Sequence, residues 1–424
     1  MEQYKYIVFF AGLLLTVPIA AMIRGNSAAR KFLMGSIVVL SSFIYFLDIN
    51  FLSMETYHGT VRGFEVTIVD LVVLILFLAT CLDANIKKRV VVPGFWVNII
   101  YIICALFSLW FSNRGAYSIY GYFAIFQYVR ALMLYWTFYH LIRDESDYRL
   151  LIQALCAVIL LNAGVALYDR YILNYHRIRG LTGHPNLLGA YSNMLGIVPL
   201  YLLLKKPSGQ KPVMLLVGAL SMMVTTALSI SKGAIAALAA GLALVLGSTF
   251  SLRRNVVFSA IMIIMISVVW FKASDSIMDR VDNPNLNGEE LRREMNEAAM
   301  ILADENVFGG GYNNFSHSTQ DLFAADVAPA HSVYYLTLAE MGYIGLFAFG
   351  LVWARFLSIG LMQFFVKRES VITVVAQGIT IALVVLMIHS TLEDLPRRTM
   401  VMYLYAIYWA YLTKGASLSG NDKK

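Results

Sequence analysis

Three observations on the 424-residue sequence predict an all-α, polytopic membrane protein. Hydrophobic residues make up 59% of it, charged residues only 14%, and mean hydropathy is +0.67, far outside soluble globular usage. Apolar stretches close to the roughly 20 residues that cross a bilayer as a helix recur at 5–23, 32–49, 66–83, 93–112, 118–142, 150–172, 186–204, 212–231, 233–250, 255–271, 333–365, 370–389 and 399–413. One long polar segment, from Lys272 to His331, interrupts them. The expectation is a single integral membrane domain over 1–424, with twelve to fourteen transmembrane helices and one external loop, 272–332, containing short helices.

The first stretch is too long and too evenly apolar for a cleaved signal peptide, and no small-residue cleavage site follows it before Arg24. Orientation comes from the basic residues. Arg24/Arg30/Lys31, Lys87/Lys88/Arg89, Arg143/Arg149, Lys205/Lys206/Lys211, Arg253/Arg254, Lys367/Arg368 and the Lys414–Lys424 tail all follow odd-numbered stretches, which makes those connections cytoplasmic. They hold 18 of the 33 basic residues, so the basic character needs no nucleic acid to explain it. The long loop, the connections at 173–185, 231–232 and 390–398, and the short N-terminal tail are then external. Cys81, Cys104 and Cys156 lie inside apolar stretches, so no disulfide framework is implied, and no metal-ligand spacing is present. Arg130 and Arg355, inside spans, are expected to be satisfied by neighbours or by an aqueous cavity.

Within the long loop, Asn287 and Glu290 have the spacing of a capping box. Leu291, Met295, Ala298, Ala299 and Leu302 follow as one apolar stripe of a surface helix. That helix ends before Gly309-Gly310-Gly311, a sharp turn or a close approach of backbone to ligand. After the loop, helical periodicity puts His331, Tyr335, Leu338, Gly342 and Gly345 on one face, with Glu340 pointing away. Glycines three apart suit close packing of another helix, which would hold His331 rigidly at the membrane–water boundary. The structural alternative is a boundary histidine hydrogen-bonded to a loop carbonyl.

Positive charge is normally kept off the external side, yet His176, Arg177, Arg179, Lys232, Arg280, Arg292, Arg293, Arg397 and Arg398 map there. Convergent cations at the outer leaflet suit an anionic substrate, and a diphosphate best, because arginine forks grip phosphate oxygens and lysine supplies a compact charge. Each has a structural alternative. Arg293 can pair with Glu289 or Glu297, Arg397 and Arg398 can answer Glu393 and Asp394, and any of them can reach lipid headgroups.

These residues resemble a family. Arg177-Ile-Arg179-Gly180, followed by His184-Pro185-Asn186 and Gly189, looks like the arginine-glycine then proline-asparagine signature of the O-antigen ligase and O-antigen polymerase superfamily. Ser231-Lys232-Gly233 resembles its serine-arginine-glycine turn, with lysine where arginine is usual. Arg293, then Asn306 to Gly311 with Gly310 the middle of its three glycines, and Phe315, resembles its external-loop pattern. His331-Ser332, nine residues, then Gly342 and Gly345 matches the spacing associated with the ligases.

The resemblance covers roughly 160–410 and implies a metal-independent, cofactor-free glycosyltransferase. It would move a glycan from an undecaprenyl-diphosphate carrier to an acceptor hydroxyl at the periplasmic face of a bacterial inner membrane. The acceptor is a lipid A-core sugar for a ligase, the reading favoured by the last motif, or a carrier-linked repeat unit for an O-antigen or exopolysaccharide polymerase. The implied base is His331, with Arg177, Arg179, Lys232, Arg280 and Arg293 on the diphosphate and Pro185, Asn186, Gly310, Gly342 and Gly345 shaping the site. Donor, acceptor and membrane lipids are the expected partners, without nucleic acid. A lipid or solute transporter would share the many spans and buried arginines, but no internal repeat of the kind transporters show is visible.

Overall fold

Helices form over twelve of the thirteen apolar stretches in the computed structural model of the chain, and the thirteenth, 255–271, falls outside the described residues. Those residues are 2–46, 48–54, 57–86, 88–112, 118–175, 177–207, 209–249, 286–319, 329–367 and 369–421. In order they give α1 (Glu2–Ile23), α2 (Ser27–Leu40), β1 (Asp48–Ser53), β2 (Gly63–Thr67), α3 (Ile68–Leu82), α4 (Phe95–Phe111), α5 (Ser118–Leu141), α6 (Glu145–Tyr171), α7 (Pro185–Lys205), α8 (Pro212–Leu228) and α9 (Lys232–Thr249). Beyond the undescribed segment come α10 (Leu286–Glu305), α11 (Phe315–Ser318), α12 (Val333–Met362), α13 (Val371–His389) and α14 (Thr399–Asn421). Among the described residues, seven helices are long and apolar enough to cross a membrane, and the sheet is confined to one hairpin. The chain is an all-α polytopic membrane protein.

Helix α7 is the axis of the bundle, buried almost along its length and packed by α8, α13, α6 and α9. A helix apolar on every side must be enclosed by protein or lipid, and here protein encloses it. Helix α14, buried from Met400 to Leu412, packs on α5. Helix α1 is the opposite case: only 11% of its apolar window is buried, so the rest of its surface suits hydrocarbon.

The second apolar stretch departs from expectation. It is helical only to Leu40, passes through a 3₁₀ turn at Ser41–Phe46 and enters β1, which pairs antiparallel with β2. A capping box restarts the helix: Thr67 accepts from the Asp70 N–H while the Asp70 carboxylate accepts from the Thr67 N–H at 2.8 Å. The Asp70 carboxylate also takes Arg130, 2.6 Å away, and the Tyr403 hydroxyl. Arg130 thus finds neighbours through one Nη, while its Nε and other Nη have no hydrogen-bond partner among the described residues, and Arg355 is exposed on α12.

The basic connections meet one another at one end of the bundle. Arg30 pairs with Asp147 at 3.2 Å, Arg143 with Asp83 at 3.7 Å and Lys205 with Glu369 at 3.0 Å. The connections read as external gather at the other end.

Candidate active site

At that other end the chain turns between α13 and α14, and Glu393 stands in the turn with its side chain only 9% exposed. Its Oε2 lies 3.6 Å from Nδ1 of His331, and its Oε1 lies 3.6 Å from an Nη of Arg292 and accepts a hydrogen bond from Asn186. Asn186 in turn accepts from Arg177 at 2.7 Å. One buried carboxylate thus joins the first turn of α7, the helix α10, the segment leading into α12 and the α13–α14 turn. The carboxylate is buried while Arg292 and His331 remain 43% and 39% exposed, so these contacts are only partly shielded from solvent screening.

Local sequence explains each position. Pro185 opens α7 with its fixed φ and no N–H to satisfy, which sets Asn186 in the first turn. The loop ahead of it is pinned by Asp169, whose carboxylate accepts the Gly180 N–H at 3.1 Å where the backbone has φ +53°. His331 precedes Ser332, the N-cap of α12, and the Val333 N–H donates to the Ser390 carbonyl at 3.1 Å. That backbone bond ties the histidine's segment to the turn that carries Glu393. The ring itself is 39% exposed, so a substrate can reach it.

Helix α10 buries Met295, Ala298, Ala299 and Leu302 against α12, as the apolar stripe predicts. It begins at Leu286, so Asn287 lies inside it rather than capping it. Successive residues on a helix are about 100° apart, so the two adjacent arginines part company. Arg292 turns to Glu393, while Arg293 is exposed and pairs with Glu297 at 3.5 Å.

Ser231-Lys232-Gly233 starts α9 against α7. The Ala234 carbonyl accepts from Asn193 at 2.9 Å, and the side chain of Asn193 accepts from Thr226 at 2.8 Å. Gly189 leaves room for Ala234, which any β-carbon there would overlap. A β-carbon on Gly233 would stand 2.9 Å from the His389 imidazole. The exposed Lys232 is therefore held beside the α13–α14 turn. His389 is buried, with neither ring nitrogen hydrogen-bonded among the described residues. His184, the N-cap of α7, is exposed.

The glycines act differently from the expected helix face. Helix α12 breaks at Gly342, where φ is +64° and ψ −169°, a region open to glycine alone. The break frees the Ala339 and Glu340 carbonyls, which accept the N–H groups of Gly310 and Gly311 at 2.8 and 2.9 Å. A β-carbon on Gly309 would come within 2.5 Å of the α12 backbone, and one on Gly342 would strike the Val307 carbonyl. These residues clamp the loop before α12 onto that helix; they form no helix-packing face, and His331 lies outside the helix. Gly345 sits one turn beyond the break, against Met341. Beneath the clamp Glu340 is buried, accepts the Asn313 and Phe315 N–H groups at 2.8 and 3.2 Å, and pairs with Arg397. Burial works against the Arg397 charge, and Glu340 together with Tyr312 and Tyr101 more than offsets it, so the guanidinium is held above its ordinary range. Arg397 therefore answers α12 rather than its own turn, and Arg398 takes Asp394 at 3.0 Å.

Of the residues singled out by sequence, the structure brings together Arg177, Asn186 and His331, with Pro185 beneath them and Lys232 nearby. Arg179 is exposed on the same loop, Arg293 faces solvent, and Arg280 lies outside the described residues. Glu393 is the partner sequence reasoning missed as a site residue, and Arg292, counted there only among the external cations, takes the place given to Arg293. An acidic pair, Glu393-Asp394, inside a connection of otherwise cationic character was the available signal.

Residues 217–350, which include Lys232, Arg292, His331 and the Gly342 break, match the family model described as O-Antigen ligase. The match agrees with membership of the O-antigen ligase superfamily. It supports a ligase- or polymerase-type role in polysaccharide biosynthesis, carried out by a membrane glycosyltransferase-like enzyme on lipid-linked glycans. No curated protein matches the chain.

Proposed function

We propose that this O-antigen ligase-type protein transfers a glycan from an undecaprenyl-diphosphate carrier to the hydroxyl of a lipid A-core sugar, at the periplasmic face of a bacterial inner membrane. The observation that carries the reading is the His331–Glu393 pair set among Arg177, Arg292 and Lys232. Glu393 faces Nδ1 and so favours the tautomer that leaves Nε2 as acceptor. The acceptor hydroxyl gives its proton to Nε2 as its oxygen bonds to the anomeric carbon. The bond from that carbon to the diphosphate oxygen breaks, and undecaprenyl diphosphate leaves with the electron pair. Arg177, Arg179, Arg280 and Lys232 receive its charge, and Arg292 joins them by moving between Glu393 and phosphate. Guanidinium forks suit the diphosphate and the lysine adds a point charge. The His331-Ser332-x9-Gly342-x-x-Gly345 spacing favours a ligase over a polymerase.

Two outcomes test this reading. With purified protein, an undecaprenyl-diphosphate glycan and a lipid A-core acceptor, Arg292→Ala is expected to lower turnover at least about tenfold, the loss of one charge-assisted contact. Arg293→Ala should stay within about twofold, since its partner is an exposed Glu297. Equal losses would remove Arg292 from its special place, and transfer only to a carrier-linked acceptor would make the chain a polymerase.

Sidedness is checked by cysteine labelling in cells lacking Cys81, Cys104 and Cys156. Glu297→Cys, on exposed α10, is expected to react with a membrane-impermeant thiol reagent in spheroplasts. Lys206→Cys, in an exposed basic connection, should react only after permeabilisation. Reversed labelling would turn the site to the cytoplasm.

A further inference from the structure

The basic end of the bundle carries a cavity of about 370 Å³ that glycan transfer does not use. Arg89, Arg143 and Lys414 line it, walled by Ile86, Ile142 and Leu418, and no carboxylate is among the lining residues. Asp83 answers Arg143 from outside the cavity, at 3.7 Å. Lys414 is half-buried and holds its ammonium 5.0 Å over the Tyr139 ring, so it does not simply extend into water.

Arg89 is held in place by its backbone. Its N–H donates to Nε2 of His140 at 3.0 Å, and its carbonyl accepts from the Trp136 indole at 3.1 Å. The other His140 nitrogen is 2.8 Å from the Trp136 carbonyl. With both nitrogens engaged, the imidazole serves as a strut. Helix α5 thus fixes a loop cation over the cavity.

The bias of basic residues toward the cytoplasmic side explains why cations lie at this end. It asks only that each reach water. It gives no reason for three to converge on one concave, partly apolar cavity with a braced loop. Basic pockets between membrane helices on that side are suited to phosphate-bearing headgroups. We infer that this cavity binds the phosphate of an anionic membrane lipid; free phosphate has the same recognition chemistry, and the apolar walls favour the lipid.

The full-length protein in detergent is titrated with phosphatidylglycerol, with a diacylglycerol lacking phosphate, and with inorganic phosphate, following Tm and bound lipid by native mass spectrometry. Phosphatidylglycerol is expected to raise Tm with concentration. Lys414→Gln and Arg89→Gln should each weaken its binding about fivefold, the share of one cation near a phosphate surface. An equal rise with inorganic phosphate, lost in the same variants, supports the site with a soluble ligand. Arg89→Lys keeps the charge and should keep binding. The inference fails if diacylglycerol stabilises as well as phosphatidylglycerol, or if the glutamine variants bind like the parent. It also fails if Lys206→Gln, at an exposed basic position outside the cavity, weakens binding as much.

Discussion

His331→Asn and His331→Gln are expected to lower transfer by about 10²–10⁴-fold, the range for loss of a positioned general base, while carrier binding persists. Neither amide accepts a proton near neutral pH, although both still offer an N–H toward Glu393. His331→Lys should fail as well, because an ammonium has no acceptor lone pair. The parent enzyme's rate should rise with pH if His331 acts as a base, since only a neutral ring can accept the hydroxyl proton. If the imidazolium instead steadied diphosphate charge, lysine would restore part of the rate and the profile would descend with pH. A pH–rate profile measured beside the lysine variant therefore decides the role. Lysine rescue with a descending profile would leave His331 as an electrostatic ligand in the same site.

Gly342→Ala is expected to cost most of the folded protein. Its backbone conformation alone penalises any side chain by about 1–3 kcal/mol. The new methyl would also strike the Val307 carbonyl, so the clamp between the loop and α12 must open. Opening it leaves the Ala339 and Glu340 carbonyls without their glycine donors and loosens the segment around buried Glu340. The measurement is yield and Tm in detergent, with limited proteolysis of the loop. Gly350→Ala is the control, since a β-carbon there meets nothing within 4 Å, and it should fold as well as the parent. A Gly342→Ala protein with unchanged Tm and a protected loop would refute the clamp.

Much of the fold was legible in the sequence because a bilayer imposes a simple rule. Every backbone polar group in hydrocarbon must be satisfied within its own helix, so length and hydropathy mark the helices. The stripe Met295, Ala298, Ala299 and Leu302 was equally legible, since a helix half in water must segregate its apolar residues. The ending of the second stretch in a hairpin was not. Its apolar composition also suits a strand, and periodicity does not separate the two in a short run.

The site divides along the same line. The types and spacing of Arg177, Asn186, Lys232, His331 and the glycines stand in the sequence itself, because they are local patterns. Which of two adjacent arginines reaches the site was decided by the rotation of α10, fixed when its stripe docked on α12. Which carboxylate faces His331 was decided by the α13–α14 turn, 62 positions further on (393 minus 331). Arg397 found Glu340 rather than its neighbours because the loop clamp buried both at one spot. Electrostatic partnership falls off with distance in space and is indifferent to distance along the chain, so sequence alone supplied the candidates and only tertiary packing chose the pairs.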